Sequence, residues 1–264
     1  MKTLTWQKPG QQNVAQELIK IIINYVAELR INSNLMHKKD DYILQNIANH
    51  LIINCSFSKN IGLLYGTMGI IIFFYHYARY SKNRVYEEFA ETLLNDFAEQ
   101  IHSHLPIDFE NGYLGIGWGI KYLGHQKFIN EENINSILED IDKKIMERDL
   151  RRCVDTSLNQ GLEGIFHYIL FRLYNSKTTT FDLTYLSELF SSANKLKEYC
   201  TNSDSLFLIN QYIQWFQNRE LEYECTILFR KLYTKGHYKY SNINEWELGI
   251  ANGYAGLGLN IMKI

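Results

Sequence analysis

A pair of glycines three residues apart, followed by an apolar residue, recurs through this chain and constrains its fold more than any other feature. The units read Gly66-Thr67-Met68-Gly69-Ile70, Gly112-Tyr113-Leu114-Gly115-Ile116, Gly161-Leu162-Glu163-Gly164-Ile165 and Gly253-Tyr254-Ala255-Gly256-Leu257. Their first glycines lie 46, 49 and 92 residues apart. The last interval is close to twice the others, so a fourth copy without glycines is expected near Phe207. It falls in the run Ser205-Leu206-Phe207-Leu208-Ile209, which continues to Tyr212, Ile213, Trp215 and Phe216. A repeat of this length marks an architecture in which each unit buries its apolar face only against its neighbours.

Two kinds of helical pattern alternate between the glycine units. Ile70 to Tyr75 is apolar on every side, and so are the stretches that follow Gly115 and Gly164; a helix of that kind is buried all round. Val85, Phe89, Leu93, Phe97 and Ile101 instead form one stripe, with Glu87, Glu88, Glu91, Asp96 and Glu99 on the other face. One-sided stripes return over Ile134 to Ile145, Leu183 to Leu196 and Leu221 to Leu232, and each predicts an outer helix with one wet face. The expected fold is all-α: an α/α toroid of inner and outer helix rings, or an open arc of one. It holds about five helix pairs behind an N-terminal helix over Val14 to Leu29. One domain is expected over residues 1–264, with N-terminal helices in 1–61 and the glycine-marked repeats in 62–264. No strand-like alternation of useful length occurs, and with only 2 prolines long helices are permitted almost everywhere.

The connections are asymmetric. Inner-to-outer links are short, whereas outer-to-inner links (Leu105 to Asn111, Arg151 to Gln160, Thr234 to Asn252) are long and polar. All inner helices therefore start at one rim, where long loops and free helix N–H groups gather, and a site is expected there. Glycine in a helix costs about 1 kcal/mol relative to alanine, so its recurrence here predicts close approach of crowded inner helices.

A net charge of −2 gives no electrostatic reason to expect nucleic acid as a partner. Apolar runs are too short to span a bilayer, and the polar start from Met1 to Asn13 has no signal-peptide core, so a cytoplasmic protein is expected. The 4 cysteines show no CxxC spacing, and reduced thiols are the default.

Leu64-Tyr65-Gly66-Thr67-Met68-Gly69, Gly112-Tyr113-Leu114-Gly115-Ile116-Gly117, Gly161-Leu162-Glu163-Gly164-Ile165 and Leu248-Gly249-Ile250-Ala251-Asn252-Gly253-Tyr254-Ala255-Gly256-Leu257-Gly258 resemble the lanthionine synthetase C-like family, over Gly62 to Ile264. The resemblance implies an α/α toroid with a peptide-binding mouth. Cyclases of the family hold zinc there and add a peptide cysteine thiol to a dehydrated serine or threonine, forming a thioether ring. Their zinc is held by a Trp-Cys-x-Gly segment at one inner-helix start and a Cys-His-Gly segment at the next. Neither occurs here, and Asn159-Gln160-Gly161 stands where a cysteine would precede the glycine pair. This chain thus resembles a shortened member without the usual ligand motifs, tied to maturation of a modified peptide. Its expected partners are a peptide substrate or a modification enzyme, and an open arc would also favour self-association.

Candidate site residues follow from the rim. His167, nearest the glycine start of its helix, is the acid/base candidate, with His76 deeper. Asp108, Glu110 and Asp155, and further on Glu245 and Glu247, are rim carboxylates; two facing one cleft would suit a carbohydrate-active enzyme, and otherwise they cap helices. Tyr113, Asn159, Gln160, Trp246 and Asn252 flank the starts as substrate-binding candidates, and Trp118 could line the mouth. No cofactor is expected from the motifs. The alternative is zinc on displaced ligands, His104, Cys153 and Cys200, which end successive outer helices 49 and 47 residues apart, with His102 and Cys55 nearby.

Overall fold

The computed structural model describes residues 38–153, 155–176, 179–235 and 247–264. The helix expected over Val14 to Leu29, together with Glu245 and Trp246, lies outside the described residues. The chain divides into two compact units, Met1–Asn46 and Ile47–Ile264. Residues 38–46 of the first are helical. The second carries α1 (residues 47–54), α2 (Thr67–Ser81), α3 (Arg84–Gln100), α4 (Tyr113–His125), α5 (Glu131–Met146), α6 (Leu162–Leu173), α7 (Leu183–Tyr199), α8 (Ser203–Asn218), α9 (Thr226–Lys235) and α10 (Tyr254–Ile261). No strand forms among the described residues, and none of their helices is long and apolar enough to cross a membrane.

The alternation in the sequence becomes two layers. Every residue of α2 from Thr67 to Ala78 is buried, whereas α3 buries only Ala90 and Phe97. Inner helices neighbour one another in the order α10, α2, α4, α6, α8, and the outer α3, α5 and α7 pack on α2, α4 and α8. This is the α/α toroid arrangement, with the last inner helix against the first.

The glycine starts are built by their own loops. After each first glycine, the next residue donates its N–H to a carbonyl six positions before that glycine: Thr67 to Asn60 (2.9 Å), Tyr113 to Pro106 (2.9 Å), Leu162 to Asp155 (3.0 Å) and Tyr254 to Glu247 (2.9 Å). The loop folds back over the helix end and satisfies N–H groups that a helix start leaves open. A Cβ on any of these glycines would overlap that carbonyl oxygen. The second glycines admit the neighbouring repeat. A Cβ on Gly69 would meet Ile250 Cγ1 at 2.9 Å, on Gly115 Leu63 Cβ at 3.0 Å, and on Gly164 Phe109 Cβ at 2.7 Å. Close approach is therefore the reason for glycine, as expected, but the partners are folded-back loops rather than neighbouring inner helices.

Backbone bonds tie these loops into a rim. Ala251 N–H donates to Leu64 O (2.8 Å), Leu64 N–H to Glu110 O (3.3 Å) and Phe109 N–H to Asn159 O (2.8 Å). The order is fifth repeat, first, second, third. Among the described residues no bond of this kind continues to the fourth repeat. The helix start of that repeat has no glycine; α8 begins on a simple asparagine cap, Asn202, whose Oδ1 accepts from Asp204 N–H and Ser205 N–H.

One expected outer helix is not outer. Phe229 of α9 is fully buried, with its ring 5.7 Å from Trp118 and 5.2 Å from Tyr122, both on the inner helix α4. Tyr223, just before α9, takes the Trp118 indole N–H at 2.8 Å. The segment from Tyr223 to Leu232 packs on the lumenal sides of α4 and α6. Its stripe is real, but the face it buries lies against the inner helix α4, at Trp118 and Tyr122.

Candidate functional site

The missing rim link leaves a cleft of about 660 Å³. Its walls come from the starts of four inner helices: Leu64 and Tyr65 before α2, Thr156 to Asn159 before α6, Thr201, Asn202 and Ser205 at α8, and Ala251 and Asn252 before α10. Leu158, Phe166, Leu196, Ile209 and Leu232 give it an apolar lining, and Glu163 and Lys231 complete it. Asn159 and Asn252, expected to bind substrate, thus meet across one opening.

Glu163 is buried and Lys231 nearly so, with side chains 7% and 9% exposed, and they form an ion pair between α6 and α9. Ser205 Oγ donates to the other Glu163 oxygen at 3.0 Å. The pair is the charged content of the described cleft lining, and it is internally neutralised.

Behind Glu163, one turn on along α6, stands His167, fully buried. Its Nδ1 lies 3.1 Å from the Tyr223 hydroxyl, which already accepts from Trp118. With the Tyr223 proton on Nδ1, the neutral ring carries its hydrogen on Nε2. Nε2 has no hydrogen-bond partner and sits 3.9 Å from Glu163 Oε1, too far for a hydrogen bond. Burial, and then the Lys231 charge, push the His167 pKa down to about 3. His76 is held in the same way, its Nε2 2.8 Å from the Tyr122 hydroxyl and its pKa lowered to about 3 by burial and then by Arg79. Both imidazoles are neutral, and neither is among the residues that line the cleft.

The rim carboxylates are engaged in building loops. Asp108 Oδ1 accepts from Asn111 N–H at 2.7 Å, Glu110 Oε2 from Asn159 Nδ2 at 3.2 Å, and Asp155 from the N–H and hydroxyl of Ser157 at 2.7 and 3.0 Å. None of the three is among the cleft-lining residues. Tyr113 points away, donating its hydroxyl to His102 O at 3.0 Å. Gln160 is exposed outside the cleft, its carbonyl held by Arg148. Trp118 is wholly buried against α9 rather than lining a mouth. Asn202, Ser205, Glu163 and Lys231 are not singled out by sequence. The first two follow from recognising that α8 lacks the glycine loop, and Glu163 from its spacing of four to His167. Nothing in the sequence signals Lys231 while α9 is read as outer.

A chain of loops and inner helices of this form has a recognisable family. The family profile described as lanthionine synthetase C-like protein matches residues 19–198 and, in a second overlapping register, residues 58–264. The chain belongs to the lanthionine synthetase C-like family. No curated protein matches it.

Zinc, implied by this lanthionine synthetase C-like fold, needs a thiolate and imidazole donor set, and the described residues of the cleft do not fit it. Among the cleft-lining residues Cys200 is the only thiol and there is no histidine. Cys200 Sγ leans on Asn202 O at 3.6 Å. The displaced set is not assembled either. His104 lies beside His102, ring centres 6.2 Å apart and tilted, and Cys153 Sγ accepts from Arg148 at 3.4 Å. No group of three potential ligands occurs among the described residues. Equal spacing by one repeat gives equal height on the ring but successive positions around its circumference, so His104, Cys153 and Cys200 are kept apart by the architecture that aligns them.

Proposed function

We propose that this lanthionine synthetase C-like chain is a zinc-free, peptide-binding member of its family, acting beside the enzymes that build thioether rings in a ribosomally made peptide, in the cytoplasm before export. The observation that carries the reading is the cleft at the glycine rim: amide and hydroxyl groups at its edge, apolar walls, and a Glu163–Lys231 pair as the charge of its described lining. Such a cleft holds a chain segment and supplies no activated thiolate. Its sole carboxylate among the described lining residues is already neutralised, which leaves no acid and base facing each other for sugar hydrolysis.

The test uses the full chain and an array of overlapping serine-, threonine- and cysteine-containing peptides, with metal content measured after dialysis. Expected are zinc well below one per chain, capture of a subset of peptides, and loss of capture in Thr201→Trp, which fills the cleft from an exposed edge. Stoichiometric zinc that survives dialysis, or capture indifferent to Thr201→Trp, would overturn the reading.

A further inference from the structure

Three asparagines stand at the cleft, one before each of α6, α8 and α10, and each keeps hydrogen-bonding capacity unused. Asn159 gives its Nδ2 to Glu110, leaving Oδ1 without a donor among the described residues. Asn202 uses Oδ1 as the α8 cap, and its Nδ2 has no partner there. Asn252 is exposed, in the left-handed region at φ 54°, and no described group bonds its side chain. Asn60, at the start of the first repeat and not among the cleft-lining residues, uses both ends of its amide: Nδ2 donates to Asn111 Oδ1, and Oδ1 accepts from Gly62 N–H at 2.8 Å.

From this we infer that the cleft reads the main chain of an uncharged, extended peptide segment, through a ladder of Asn159, Asn202 and Asn252. The inference rests on the peptide-binding reading above and names the substrate class. A side-chain amide presents the same donor and acceptor as a peptide group, so it pairs with a backbone N–H or C=O whatever the residue. An extended strand alternates its side chains, one set toward the apolar wall of Leu158, Phe166 and Leu232 and the other to solvent. The only charges among the described lining residues, Glu163 and Lys231, are paired with each other. A charged residue entering the cleft would lose water without gaining a partner, and the segment is selected to be neutral.

Two variants remove one rung while sparing the fold. Asn202→Asp keeps the cap oxygen and deletes the free donor; Asn252→Gly deletes the amide where glycine suits the backbone. The probes are fluorescein-labelled, end-capped octapeptides of Ser, Thr, Leu and Ile, the same peptides N-methylated at single positions, and the same peptides with one central Asp or Lys. Each variant is expected to weaken binding by about three- to tenfold, the worth of one hydrogen bond. N-methylation should do likewise at alternating positions, Leu-to-Ile exchanges should change little, and a central charge should reduce affinity more than either. If the neutral peptides bind and Thr201→Trp blocks them, while N-methylation and both variants leave affinity unchanged, the ladder is wrong and the peptide site survives. Equal affinity for the charged peptides sinks the neutral selection. If no peptide binds, the ladder and the site fall together.

Discussion

At the scale of single residues, the buried polar groups fix how the protein responds to acid. His76 and His167 fall from 6.5 to about 3 on folding, chiefly through burial. Each stays neutral in the fold while the unfolded chain takes up a proton near its ordinary pKa, so protonation favours unfolding. Their contribution to stability is flat above about pH 6.5 and declines as pH falls from there toward about 3, by about 1.4 kcal/mol per pH unit for each histidine. Urea midpoints measured across this range should show that slope. His76→Gln, which keeps a hydrogen-bonding atom for Tyr122 but does not titrate, should remove about half of it; an unchanged slope would assign the acid sensitivity elsewhere. The Glu163–Lys231 pair makes a second residue-level prediction. Glu163→Gln takes the carboxylate away from the Lys231 ammonium and is expected to cost about 3 kcal/mol. Pairing it with Lys231→Met should recover most of the loss, because the two buried charges are then removed together. If the double variant is no more stable than either single one, the pair contributes through some contact other than charge.

Among the elements, the glycine starts explain how much of the fold is legible in sequence. Repeat, helix polarity and common rim all follow from glycines spaced three apart. Their cause does not, because a folded-back loop has no periodicity of its own. The two classes of glycine separate in a direct comparison. A Cβ on Gly112 would run into the backbone of Pro106 and Asp108, which the Tyr113 and Leu114 N–H groups hold in place. Gly112→Ala is therefore expected to destabilise by about 3 kcal/mol. A Cβ on Gly119 would overlap a side chain rather than backbone, Met68 Cγ and Sδ at 2.5 and 2.7 Å, with Leu63 Cδ1 at 3.6 Å. Methionine yields readily, and alanine favours the helix by about 1 kcal/mol, so Gly119→Ala should be close to neutral. Denaturant titration of both variants checks this, and similar losses would mean that general crowding, not the loop, selects glycine. The candidate site is less legible than the fold for a related reason. Asn159 and Asn252 are found because they flank glycines. Asn202, Ser205 and Lys231 belong to the repeat that lost its glycines, and that loss is what opens the cleft. The misread of α9 has the same origin: a one-sided stripe tells which face is buried, and not whether that face looks inward or outward around a ring.

Across the repeat unit as a whole, closure is unequal, and this shapes stability as well as the site. The last inner helix sits on the first: α10 neighbours α2, Gly258 admits the Phe73 ring, and Ala251 N–H reaches Leu64 O at 2.8 Å. Between the fourth and fifth repeats no rim bond forms among the described residues, and α9 turns inward to fill the lumen. A linear solenoid would lose its terminal unit at little expense to the rest, since each repeat touches only its neighbours. Here α10 is terminal in sequence but internal in the ring. Removing Tyr254–Ile264 strips one flank from α2, whose inner face is otherwise buried from Thr67 to Ala78, and exposes the apolar surface around Phe73. The truncated protein is expected to lose the cooperative unfolding of the full chain and to self-associate through that flank, which circular dichroism melts and light scattering would register. If instead the truncated chain melts as sharply as the full one and stays monomeric, the α10–α2 junction does not hold the ring together, and the chain behaves as an arc whose repeats stand on their own.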